Sequence, residues 1–336
     1  KRQDIPEPGP EEIERMTPQN YGEEIIKLCE DIAAAVPVDQ HIPMLAPLPM
    51  QLSFADMWPS WRKAENRKPE LPGRQQRNID LPLGISSVDM GIAGIPWSVD
   101  TQSASAHTLC LGRPQSGRTS LLRTEIAAIV GSFAPHEAKG ILIDERGALN
   151  RERRFLAQEH YLAGHGDRED TERVLGAVLD EVKRRIGTNP DLDEQIEEEQ
   201  TFFEGPSLFV LVDNVEVYRA GQGSAPQAAQ LLAEIIRVRQ RVGVHVIATA
   251  THDGFSNENP RPASVSPIAA LEEVRAHIIS LDATSRMKVR GELRADAFPV
   301  PGRGYLISDF VPLSANGKPP IIQIAHLTGL RRRKMD

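Results

Sequence analysis

The sequence predicts an α/β domain built on a mostly parallel β-sheet with helices on both faces, preceded by a Pro-rich linker carrying one helix. Three observations predict it. From residue 79 onward, short continuous apolar runs alternate with stretches of helical period, the pattern of strand–helix–strand units. One of those runs passes through a Gly-rich loop directly into a helix. Before residue 79 the chain is rich in proline and has only one convincing periodic segment.

A chain of 336 residues, 40% apolar and 26% charged, is long enough to bury a sizeable core without disulfides or metals. No stretch approaches the roughly 18 uninterrupted apolar residues of a membrane span. A first residue of Lys with no apolar signal core behind it predicts a segment of a longer polypeptide, any membrane anchor lying outside it. Cys29 and Cys110 fit neither a redox pair nor a zinc framework, and the nine histidines form no ligand cluster. Forty-seven acidic against thirty-nine basic residues give a net charge of -8, which argues against nucleic acid as a partner.

Taken in order, residues 1–78 form the linker, with an amphipathic helix over 20–35 (Ile25, Leu28, Cys29 and Ile32 on one face). An extended strap follows over 42–59, where Pro43, Pro47 and Pro49 interrupt apolar residues. The domain proper is expected over 79–330. Strands are expected at 108–111, 140–143, 208–212, 244–249, 277–281, 304–307 and 321–326, and helices at 119–132, 171–185 and 225–242. The acidic run 191–200 reads as a solvated insertion. Arg331, Arg332, Arg333 and Lys334 make residues 331–336 a basic tail that frays into solvent.

The chemistry concentrates at Gly112-Arg113-Pro114-Gln115-Ser116-Gly117-Arg118-Thr119-Ser120, between an expected strand and an expected helix. In a phosphate-binding loop, backbone N–H groups curl around the anion and the helix N-terminus adds its positive end. Gly112, Ser116, Gly117, Arg118, Thr119 and Ser120 are the expected nucleotide contacts. A bare Gly-rich turn is the competing reading. Two residues weaken the site. Arg118 stands where such loops carry a lysine, and its planar guanidinium does not fit the lysine's compact place between phosphates. Gln115 stands where many carry a middle glycine, which costs on the order of 1 kcal/mol if the backbone there is left-handed.

Leu208-Phe209-Val210-Leu211-Val212-Asp213 reads as an apolar strand ending in a carboxylate, the place from which an ATPase holds magnesium. Thr119 and Asp213 are therefore the expected metal contacts, through a bound nucleotide. Asn214 follows, where hydrolysis needs a second carboxylate to polarise water, and an amide cannot take that proton. No catalytic residue is assigned. Thr249, near Thr251, is read either as a sensor of the terminal phosphate or as a strand end of ordinary β-propensity.

These segments together resemble the FtsK/SpoIIIE branch of P-loop ATPases, and within it the EccC proteins of type VII (ESX) secretion, over roughly residues 80–327. Leu81-Pro82-Leu83-Gly84 is similar to the family's opening strand, and Ser116 to Arg123 to its "SGKTTLLR". Ile143-Asp144-Glu145-Arg146-Gly147 is similar to its "DxRG"; Gly205-Pro206, Val242 to His245 and Pro301 to Tyr305 also match in order.

The resemblance implies a P-loop NTPase fold of RecA/FtsK type and the last, degenerate module of a multi-ATPase motor on the cytoplasmic side of a membrane-anchored complex. It implies weak or absent binding of ATP and magnesium, and as partners the preceding ATPase modules, in a hexameric assembly, and the C-terminal signal of a WXG100-type substrate. Membrane contact comes only through the rest of the complex. Phe255, Val265, Ile268 and Leu271 are the expected lining of an apolar groove for that signal, an ordinary surface loop being the competing reading of the segment. A module recognising or regulating substrate is preferred over an active ATPase, for which a loop lysine and second acid are lacking. It is also preferred over a DNA translocase, for which basic channel residues are lacking.

Overall fold

The computed structural model describes residues 27, 47–65, 79–97, 107–167, 169–187, 205–218, 226–237, 243–258, 266–283, 288–290, 293–294, 297–298, 300–309, 311, 313 and 317–327. The chain divides into two units, Lys1–Ala46 and Pro47–Asp336. Of the first unit, and of the helix expected over 20–35, only Lys27 is described; it is helical and exposed. The acidic run 191–200 and the basic tail 331–336 lie outside the described residues.

Among the described residues the second unit has twelve strands: β1 (Ile79–Ser86), β2 (Ile92–Trp97), β3 (Thr108–Leu111), β4 (Ala138–Ile143), β5 (Leu162–Gly166), β6 (Ser207–Val212), β7 (Val244–Ala250), β8 (His277–Leu281), β9 (Lys288–Arg290), β10 (Leu293–Arg294), β11 (Arg303–Ile307) and β12 (Ile321–Ile324). Ten of them form one sheet in the order β2-β1-β12-β11-β8-β3-β7-β6-β4-β5, and β9 and β10 make a separate pair. From β8 to β5 every pairing is parallel. Beyond β8 the sheet continues antiparallel through β11, β12, β1 and β2.

Seven helices accompany the strands among the described residues: α1 (Phe54–Glu65), α2 (Arg118–Ser132), α3 (Asn150–Gln158), α4 (Thr171–Gly187), α5 (Pro226–Arg237), α6 (His252–Glu258) and α7 (Pro267–Glu273). Strand alternation divides the core between two faces. Leu109, Leu111, Val210 and Val212 pack with Leu175 and Leu179 of α4, Leu232 and Ile236 of α5, and Ile268 of α7. Cys110, Phe209 and Leu211, on the opposite face, pack with Met57 of α1, Leu122 and Ile126 of α2, and Leu156 of α3. The expected sheet with helices on both faces is the observed architecture.

The strap expected over 42–59 is corrected over its second half. Phe54–Glu65 is a helix that carries Pro59 within it, and residues 42–46 lie outside the described ones. Proline there forfeits one backbone bond, and tertiary contacts offset the loss. Ser53 bridges to His326, and Phe54 N donates to His326 O at 3.0 Å. Phe54 and Trp58 stack with ring centroids 5.3 Å apart. The Trp58 ring lies where a Cβ on Gly131 of α2 would be, 2.4 Å from it. Arg303 of β11 donates to the carbonyls of Leu48 and Pro49. The packed unit thus begins at Pro47 rather than at residue 79.

Candidate functional site

Leu111 ends β3, and the chain turns through Gly112–Gly117 into α2. The start of the loop is tied to the ends of both neighbouring strands: Gly112 N donates to Ala250 O at 3.1 Å and Arg113 N to Asp282 O at 3.0 Å. The Arg113 guanidinium also pairs with the Asp282 carboxylate, whose Oδ1 accepts Phe298 N at 2.7 Å. A Cβ on Gly112 would lie 2.1 Å from Ser116 Oγ and 3.1 Å from Leu281 Cβ, so glycine there leaves the Ser116 hydroxyl its place in the loop. Gln115 sits at φ 67°, the left-handed region, so the strain expected of a side chain there is present. Gly117 caps α2 at φ 112°.

The opening turn of a helix leaves its amides without intrahelical acceptors. In α2 the first amide bonded back to the loop is Leu121 N, to Gly117 O at 2.9 Å, and the Ser116 hydroxyl is buried without a hydrogen-bond partner. The donors left for an anion are therefore the amides that open α2 and the Ser116 hydroxyl, the Gly112, Arg113 and Ser116 amides being bonded within the protein. The Arg118 side chain is not among them. Its guanidinium turns to Glu216, Nη1 lying 3.5 Å from Oε1, with both side chains largely buried. The loop is also held from the antiparallel part of the sheet: Gly302 N, just before β11, donates to Ser116 O at 2.7 Å, and Ile324 N to Gly302 O at 2.8 Å.

β7 lies between β3 and β6, and so brings Thr249 beside Asp213. The Thr249 hydroxyl donates to Asp213 Oδ1 at 2.8 Å and accepts Asn214 N at 2.9 Å. Burial, with Asp144 nearby, pushes the Asp213 carboxyl above its usual range, against the hydrogen bond from Thr249 and the charges of Arg118 and Arg146. Asn214 is left-handed, at φ 57°, and its side chain makes no capping hydrogen bond. Asp144 braces the turn into α3, accepting Arg146 N at 3.2 Å and Leu149 N at 2.6 Å. His252, whose Nε2 meets Ser280 Oγ at 3.1 Å, is held neutral by burial, its pKa lowered to about 4.

The structure therefore brings Gly112, Ser116, Gly117, Arg118, Thr119 and Ser120 into one loop, with Thr249 on the neighbouring strand β7 and Asp213 two strands away, at the end of β6. Sequence reasoning missed Glu216; the signal was an acid three residues beyond Asp213, which a search confined to position 214 passes over. The groove residues are corrected. Phe255 of α6 and Ile268 and Leu271 of α7 are 2%, 1% and 0% exposed, interior to the core rather than lining a surface. Val265 lies outside the described residues.

Strand, curled loop and helix, with a carboxylate ending a strand two places along the sheet, define a P-loop ATPase fold. The FtsK/SpoIIIE family model matches residues 73–262, more than half of the chain, and the chain belongs to the FtsK/SpoIIIE family. It is 23% identical over 276 residues to ESX secretion system protein EccC of Geobacillus thermodenitrificans, covering 77% of this chain and 18% of that protein. It is 27% identical over 172 residues to ESX-1 secretion system protein EccCb1 of Mycolicibacterium smegmatis, covering 50% of this chain and 27% of that one. The chain thus spans well under half the length of these relatives.

Among solved structures, the cytoplasmic domain of the Thermomonospora curvata type VII secretion ATPase EccC superposes with a TM-score of 0.62 at 21% identity, over 86% of this chain and 30% of that one. ATPases 2 and 3 of the same EccC, in complex with a signal sequence peptide, give 0.63 at 20% identity, over 85% and 45%. These likenesses show the fold. P-loop ATPases bind nucleotide and magnesium in general; the free donors of α2, Thr119 and Asp213 fit that use, and Arg118 does not.

Proposed function

We propose that this chain is a module of a type VII secretion motor whose nucleotide site is impaired and whose work is to recognise or regulate the secreted substrate. The observation that carries the reading is the state of Arg118: the side chain in the lysine's place is engaged by Glu216 rather than left for phosphate. Asn214 adds to it, since the residue that follows Asp213 is an amide, which cannot take a proton from water. If nucleotide binds, the amides of Gly117 to Ser120 and the Ser116 hydroxyl would hold its phosphates, and Thr119 and Asp213 its magnesium, which would neutralise phosphate charge. The similarity to EccC proteins supports a place on the cytoplasmic side of a membrane-anchored complex, beside preceding ATPase modules. Among the described residues no helix is long and apolar enough to cross a membrane.

The similarity to an EccC structure holding a signal sequence peptide supports a peptide partner, the C-terminal signal of a WXG100-type substrate. A helical signal would bury a few apolar side chains at i, i+3 and i+4 spacing, which supplies affinity without catalysis. Titrating a labelled C-terminal substrate peptide into the chain is expected to give saturable binding with a Kd below about 100 μM, roughly -5.5 kcal/mol. No binding at that concentration, while another module of the same motor binds the peptide, moves recognition elsewhere. A second reading, an active ATPase module, draws on Glu216 itself, a carboxylate within reach of the loop that would serve as base; turnover separates the two.

A further inference from the structure

We infer that Glu216 stands where the terminal phosphate of a nucleoside triphosphate would sit, so that this loop takes a nucleoside diphosphate in preference to a triphosphate. The inference rests on the reading that the loop before α2 holds nucleotide phosphates.

Glu216 belongs to the short 3-10 turn Val215–Val217 that follows β6. Its side chain crosses the end of β7, where Oε1 accepts Thr251 N at 3.2 Å, and ends 3.5 Å from Arg118 Nη1. Room for it comes from Gly254 in α6, where a Cβ would lie 3.0 Å from Glu216 Cβ. The carboxylate is thus packed in place and not a surface side chain that happens to reach an arginine. Arg118 Nη1 is buried and makes no hydrogen bond, so the ion pair with Glu216 is its engagement.

The position decides which ligand fits. In a P-loop the side chain at the head of the helix serves the β- and γ-phosphates, and the last phosphate points toward the metal-holding carboxylate. β7 separates the loop strand from the Asp213 strand, and Glu216, held by Thr251 N just past the end of β7, lies against Arg118, the side chain in the place from which a lysine would serve the β- and γ-phosphates. A triphosphate would bring a second anion against a largely buried carboxylate, and like charges at such a site repel strongly. A diphosphate would end at the α2 amides and the unpartnered Ser116 hydroxyl, itself 3% exposed, and leave the Arg118–Glu216 pair intact.

Calorimetric titration of the 336-residue chain with magnesium ADP and magnesium ATP, repeated on Glu216→Gln and Glu216→Asp, tests the inference. The expected result is ADP binding about tenfold tighter than ATP in the unaltered chain, and Glu216→Gln tightening ATP about tenfold while moving ADP by less than about twofold. Glu216→Asp, which keeps the charge and withdraws it by one methylene, falls between. Thermal melting of both variants shows whether they fold. ATP binding as tight as ADP with no gain in Glu216→Gln, or a loss of ATP affinity in that variant, overturns the inference and leaves the nucleotide site standing. Absence of both nucleotides at about 5 mM, near -3 kcal/mol, in the unaltered and variant chains overturns the inference together with the reading of the loop.

Discussion

Alanine at Gly304 is expected to destabilise the chain by about 3 kcal/mol or more, at the upper end of overpacking effects. Gly304 opens the pairing of β11 with β8, opposite Leu281. A Cβ there would lie 2.3 Å from Ser280 O and 2.8 Å from Leu281 Cα, both backbone atoms of β8. A side chain cannot rotate away from that contact, so one strand must leave the other. The effect reaches the loop, because Gly302, two residues earlier, holds Ser116 O and in turn accepts Ile324 N. Melting by calorimetry should show a fall of roughly 6 to 12 °C. Gly176 in α4 is the matched comparison. Nothing lies within 4 Å of its added Cβ, and alanine there should stabilise the chain by up to about 1 kcal/mol. Equal melting temperatures for the two variants would contradict the packing described for β8 and β11.

The second large effect concerns Glu125, in the middle of α2. It is fully buried, neither oxygen has a hydrogen-bond partner, and burial holds its carboxyl well above the usual 4.5. The folded chain therefore keeps a proton that the unfolded chain releases. Stability from this group is complete below pH 4.5 and is lost as pH rises toward the folded value, by about 1.4 kcal/mol per pH unit while that proton alone differs. His107 and His252 act in the opposite sense. Burial lowers them to about 3 and about 4, so their contribution grows with pH up to the ordinary histidine value of 6.5. The difference between the chain and Glu125→Gln isolates the carboxyl. Urea unfolding at rising pH above pH 5 should show the variant gaining on the unaltered chain as pH climbs toward the folded value. A difference independent of pH would mean that Glu125 is ionised in the fold with a partner.

The parallel core was legible because strands buried on both faces read as continuous apolar runs. Ser207–Val212 and Val244–Ala250 are buried throughout, and both were expected within one residue. β5, at the sheet edge, was not legible: Leu-Ala-Gly-His-Gly has neither an apolar run nor alternation, and only Gly166 is buried. α1 was hidden by the proline-rich composition around it, since the contacts that hold it come from His326 and Gly131, far along the chain. The groove residues failed for the converse reason. Pro and Ser around 255–271 suggested a surface, whereas Ser266 caps a helix, accepting Ala269 N at 3.2 Å, whose apolar residues enter the core.

Within the site, the strand–loop–helix order and the place of Asp213 at a strand end were readable from motif order, whereas the bond from Thr249 to Asp213 was not. What a linear motif could not give was the partner of Arg118, because Glu216 reaches it only through the turn after β6 and the end of β7.

Phosphate release by the chain supplied with saturating magnesium ATP bears most directly on whether its nucleotide site has lost its chemistry. With Arg118 engaged by Glu216 and Asn214 in place of a second acid, release is expected at background, unchanged by Thr119→Ala. A turnover of about 1 per second, the low end of ordinary enzymes, that Thr119→Ala abolishes would contradict the account and make this chain an active ATPase module.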